Sequence, residues 1–125
     1  MNQGIGVTIT QVVPYPFDTR VPAVAQFHQL AKRFSPKVEP NFINMEGFIA
    51  AKALCKILLD IPSSITREGF IKSTENQTNV DLGGFFFSFS QDNHQGSDFV
   101  SLFQVGPGGY VSPIENLRQL YDYYR

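Results

Sequence analysis

Along residues 6–13, small, apolar and hydroxyl-bearing residues alternate and most positions are β-branched, the pattern of a half-buried strand. Pro14 and Pro16 then stop it, because neither can donate to a ladder and each pushes its predecessor towards an extended conformation. The strand therefore leads straight into a stiff connector formed by Val12, Val13, Pro14 and Pro16. Beyond it the period changes. Val24, Phe27, His28, Leu30, Ala31 and Phe34 recur at helical spacing and predict a helix over 21–34, with Pro22 tolerated in its first turn and Ser35-Pro36 ending it.

The run NFINMEGFIAAKALCKILLD, residues 41–60, carries the strongest helical signal in the chain. After Glu46 its only charges are Lys52, Lys56 and Asp60, which share one narrow stripe and leave apolar groups around most of the circumference. Such a helix expects neighbours on several sides. Pro62-Ser63-Ser64 breaks it, and Ser64 or Thr66 offers an N-cap for a third, shorter helix reaching roughly residue 76.

From Phe85 the period becomes two. Phe85, Phe87 and Phe89 fall on one face, and a second alternating run, 99–105, follows the loop QDNHQGSD, so the two runs are expected to be joined strands of an antiparallel hairpin. GPGG turns the chain into a short strand at 110–112 that Pro113 closes, and the tail, 114–125, reads as a brief helix with Leu117, Leu120, Tyr121 and Tyr124 on one side.

With 125 residues, 42% hydrophobic and 17% charged, the chain fits one small globular domain. A net charge of −1 lacks the positive excess that phosphate backbones attract, so no nucleic-acid partner is expected. The single cysteine, Cys55, lies inside the apolar helical pattern and reads as a buried, inert thiol. No export signal opens the sequence, and no stretch has the length of a membrane span.

Chemistry is sparse. Asp92, His94 and Ser97 crowd one loop, but a triad needs its base aimed between nucleophile and acid, usually from separated parts of a fold, and turn chemistry accounts for all three. With two histidines and one cysteine, no zinc site is expected. No catalytic residue, metal or cofactor is assigned. GPGG and DLGG lack the surroundings of a phosphate-cradling loop and read as turns. Glu46, in the first turn of the apolar helix, is either a carboxylate well placed against the helix dipole or a polar group at the rim of a ligand cleft.

Taken together, the exit QVVPYP, the segment EGFIAAK, the helix start TREGF and the HQGS between the last long strands resemble the C-terminal third of the type I periplasmic binding proteins. The branch resembled is that of the leucine/isoleucine/valine receptors of ABC transporters, and the likeness spans nearly the whole chain. It implies a partial α/β fold over 1–125: an N-terminal hinge strand (1–16), a helical region (21–76), a C-terminal antiparallel β-hairpin (84–112) and a terminal helix. By the same resemblance Val12, Val13, Pro14 and Pro16 form an interlobe hinge crossing, and Gln3, Phe42, Asn44 and Glu46 lie nearest the ligand cleft. Where the family's amino-acid receptors hold the ligand's ammonium with an acidic residue, this chain has Gln3.

The implied function is non-catalytic binding of a small amino-acid-like or organic solute, together with lobes this chain does not include, for an ABC transporter permease. The implied location is periplasmic, or cytoplasmic if this is a natural short protein. The alternative is a ligand-free interaction or oligomerisation module. An apolar helix and a phenylalanine-rich ribbon without their covering layer would lose about 25 cal/mol for each Å² left in water, so a homo-oligomer is expected.

Overall fold

The computed structural model describes residues 4–116 and Arg118. Its elements run β1 (Thr8–Gln11), α1 (Pro22–Phe34), α2 (Phe42–Leu59), α3 (Arg67–Glu75), β2 (Val80–Asp81), β3 (Phe86–Phe87), β4 (Ser101–Val105) and β5 (Val111–Pro113), with a 3₁₀ turn at Pro107–Gly109 before β5. Gln3 and most of the tail read as a helix lie outside the described residues.

Two of the described helices, α2 and α3, start where a side chain supplies a partner for an unpaired backbone donor. Asn41 caps α2 by accepting from Asn44 N at 2.9 Å, and Thr66 caps α3 by accepting from Gly69 N at 3.0 Å. Val21 has no such oxygen for α1. There Pro22 opens the helix, and the amide of Ala23 donates instead to Gly83 O at 2.9 Å. The DLGG segment is thus a turn docked against the start of α1. Asp81 Oδ1 accepts from the amides of Gly83 and Gly84 at 2.7 and 2.6 Å, and Gly83 holds a φ of +99° that side chains rarely adopt.

Inward residues of the helices and of the 82–87 ribbon form the main core. Val24 and Phe27 of α1 meet Met45, Ile49 and Ile57 of α2, with Leu82, Phe85 and Phe87 closing the other side. Two polar side chains are buried with them, Ser73 and Gln77, and both are satisfied: Ser73 Oγ donates to Ile57 O at 2.8 Å, and Gln77 Nε2 donates to Ser73 O at 2.9 Å.

The strands pair differently from the expected pattern in one respect. The antiparallel hairpin at the C-terminal end is β4 with β5, and β4 also takes β1 on its other edge, Ile9 opposite Phe103 and Thr10 opposite Leu102, giving the order β1-β4-β5. The phenylalanine run at Phe85 does not form a ladder with 99–105. It pairs instead with β2, Val80 opposite Phe87, and its one backbone contact across the loop is Ser88 N to Gly96 O at 2.8 Å. The physical reason lies in the loop: Ser90, Asn93 and Gln95 spend their bonds on local turns, which carry the two runs apart instead of setting them side by side.

Cys55 corrects a second expectation. It is exposed, not buried, because it sits on the side of α2 that no described residue covers.

Candidate functional site

The start of α2 carries three of the residues singled out in the sequence, Phe42 and Asn44 in its first turn and Glu46 just beyond it, and the helix deals them to different sides. Residues four apart share a face, so Phe42 and Glu46 lie in line while Asn44 points about 200° away. Phe42 packs inward on the sheet: its ring is 4.9 Å from that of Phe103 on β4 and 6.1 Å from that of Tyr15. Asn44 donates through its side chain to Glu39 O at 3.1 Å, which ties the 35–41 connector to the helix. Glu46 is exposed. The three are therefore neighbours in sequence without converging on one point.

The connector is packed, not loose. Val13, Pro14 and Pro16 are buried, while Val12 is 53% exposed at the bend that follows β1. Pro16 O lies 2.7 Å from His28 Nε2 on α1, so a ring nitrogen of that half-buried histidine serves the connector. Tyr15, between the prolines, donates its hydroxyl to Val111 O of β5 at 3.1 Å and stacks within 5.4 Å of both Phe17 and Phe103. Phe103 is buried outside the main core, so these rings form a second, aromatic cluster joining sheet to helices. Sequence reading passed over Tyr15; an aromatic with a polar tip, flanked by two prolines that immobilise it, was the available signal.

The other feature of α2 is an uncovered apolar side. Two adjoining grooves, about 510 and 660 Å³, run between α1 and α2. Ile43, Gly47, Ala51, Cys55 and Leu59 run down one side, Leu30 and Phe34 face them from α1, and Ile43 and Leu59 are 81% and 82% exposed. Lys52 at the rim is engaged, its Nζ donating to Gln26 Oε1 and to Leu82 O, each at 2.6 Å. Among the described residues, the helix expected to need neighbours on several sides meets α1, α3, the phenylalanine ribbon and the sheet, and the stripe from Ile43 to Leu59 is left uncovered.

His94 does not organise a catalytic group. Its Nε2 lies 3.4 Å from Glu75 Oε1 on α3, while Ser97 Oγ accepts from the amide of Phe99 at 3.1 Å. Among the described residues no group of three histidine, cysteine, aspartate or glutamate side chains is placed to hold a metal ion, and no helix is long and apolar enough to cross a membrane.

No family model matches the chain, and no curated protein does. Solved structures do. A possible leucine/isoleucine/valine-binding protein from Rhodopirellula baltica SH 1 superposes with a TM-score of 0.83 at 25% identity, over 93% of this chain and 31% of that one. A substrate-binding periplasmic protein from Ralstonia solanacearum gives 0.79 at 28% identity, over 89% and 32%. An extracellular ligand-binding receptor from Verminephrobacter eiseniae gives 0.77 at 25%, over 87% and 31%. The chain thus spans about a third of the length of each receptor it matches. The three helices α1 to α3, the leading strand and the closing hairpin of the described residues are a partial periplasmic-binding-protein-like fold of the type found in leucine/isoleucine/valine-binding and related substrate-binding proteins.

Proposed function

We propose that this chain serves as one segment of a non-catalytic solute-binding receptor of an ABC-type transport system, located in the periplasm, and that it takes part in binding a small amino-acid-like or organic solute together with a second lobe. The observation that carries this reading is the superposition over 93% of the chain on a possible leucine/isoleucine/valine-binding protein. The ligand-side residues are those at the start of α2, Phe42, Asn44 and Glu46, with Gln3 ahead of β1; the crossing between lobes is Val12, Val13, Pro14 and Pro16. A helix N-terminus with a rim carboxylate suits a solute bearing both charges, and the surrounding phenylalanines suit an apolar side chain. The permease of the transporter is the macromolecular partner in this reading.

Thermal melting against a panel of branched aliphatic amino acids, small amides and small acids tests it, because a ligand selective for the folded state raises the midpoint. A raised midpoint with one solute class supports the reading, and variants Asn44→Ala and Glu46→Gln should then lower that shift. No shift with any of them favours the second reading.

That second reading, a protein-contact or oligomerisation module, draws on the bare side of α2. Ile43, Leu59 and Phe34 all stand well exposed along this side, and contiguous apolar exposure is a mark of interaction surfaces. Another copy of the chain would cover it, and sedimentation velocity measures whether one does.

A further inference from the structure

Consecutive residues of the proline connector are held from opposite sides. Tyr15 Oη donates to Val111 O on β5, and the next carbonyl, Pro16 O, is bound by His28 on α1. The Tyr15 ring packs beside both Phe103 of β4 and Phe42 of α2, which also touch each other at 4.9 Å, so the three rings form one triangle across the joint. Pro14 and Pro16 have fixed φ, and both are buried, so the chain around Tyr15 is a short stiff lever and not a source of motion. Val12, three residues before Tyr15, is exposed and lies past the end of the β1 ladder, so it is the position in this segment least held by its surroundings.

We propose that Tyr15 is a latch that sets the angle between the three-stranded sheet and the helical body. Its hydroxyl holds β5, its ring packs against the direct Phe42–Phe103 contact that links α2 to β4, and a swing about Val12 requires the bond to Val111 to open. The bond is single and half-buried, so water can replace it when the joint moves, which suits a contact that is made and broken repeatedly. Phe42 forms the far wall of the joint and belongs to the same helical turn as Asn44, so a group that engages that turn alters the packing on Tyr15. The latch is a property of the joint and needs no solute; its failure would leave the receptor reading standing, and the converse holds too.

The native Cys55 gives one labelling point on α2, and Thr8→Cys supplies a second on the exposed side of β1. Spin labels at both, in full-length chain diluted with unlabelled Cys55→Ser chain, report the intramolecular sheet-to-helix distance by pulsed EPR. The parent should give one narrow distribution, and Tyr15→Phe, which keeps the ring and loses only the hydroxyl, should broaden it or add a second population. Amide exchange should quicken severalfold around β5 in the same variant while α1 and α2 stay protected. Phe42→Leu, which keeps the hydroxyl bond, should broaden the distribution less. A Tyr15→Phe distribution that superimposes on the parent overturns the latch, as does exchange that quickens equally in α1, α2 and β5, which would make Tyr15 an ordinary packing residue.

Discussion

The side-chain amide of Gln77 donates to Asp60 Oδ2 at 3.0 Å, and so fastens the residue after the α3 cap to the C-cap of α2. The same residue accepts from Phe89 N through its carbonyl at 2.8 Å, although it is only 4% exposed. Two helices and the phenylalanine ribbon therefore meet on one buried residue, the helices through its side-chain amide and the ribbon through its carbonyl. Gln77→Ala should lower the unfolding free energy by about 1–2 kcal/mol, since it removes one buried and one half-buried bond and leaves the buried Ser73 carbonyl short of a donor. Urea titration reads this directly. A change under about 0.5 kcal/mol would show that water replaces the amide without cost.

Asp60 also gives the fold an acid-sensitive contact. Lys56 Nζ donates to both its carboxylate oxygens, at 2.6 and 2.5 Å, and this bond, with that of Gln77 second, holds the Asp60 carboxyl below its ordinary value. A carboxylate depressed in the folded state contributes stability above its unfolded pKa, about 3.9, and loses it as the pH falls through the lower folded value. The group is exposed, so solvent and salt keep the contribution small. Melting midpoints should therefore fall on acidification below about pH 4, and Asp60→Asn should make that fall shallower, more visibly at low ionic strength.

Two glycines should respond in opposite directions to alanine. At Gly83 the backbone φ is +99° and an added Cβ would sit 3.0 Å from Ala23 N, the amide that Gly83 O accepts from. Gly83→Ala should destabilise by at least about 1 kcal/mol, through strain and loss of the α1 start. Gly47, inside α2, has open space where its Cβ would be. Gly47→Ala should stabilise by roughly 0.5–1 kcal/mol. Paired denaturation curves compare them, and equal effects of the same sign would contradict the turn geometry assigned to DLGG.

The helices were readable because their signals are local. Pro22 and Ser35-Pro36 bracket α1, and Thr66, one of the two N-caps the sequence offered, caps α3. Strand partners were not readable in the same way. Alternation in 99–105 shows that a strand exists and which face is apolar, but β4 chose β1, some ninety residues earlier, and no local pattern encodes that choice. Cys55 was misplaced for a related reason. A helix apolar on nearly every side identifies a need for neighbours without telling which side the described residues leave bare. Of the site residues, Phe42, expected by resemblance to lie nearest the ligand cleft, also packs on Phe103 and Tyr15, a long-range aromatic contact that periodicity cannot see.

The account rests on the uncovered side of α2 being a packing surface that awaits another layer. Sedimentation velocity over a concentration series, with a hydrophobic dye read on the same samples, tests it most directly. The account predicts either a mass that rises with concentration or a monomer that binds dye strongly, and in both cases Ile43→Lys with Leu59→Lys should abolish the signal while the far-ultraviolet circular dichroism is kept. A chain that stays monomeric, binds no dye and unfolds cooperatively would contradict it.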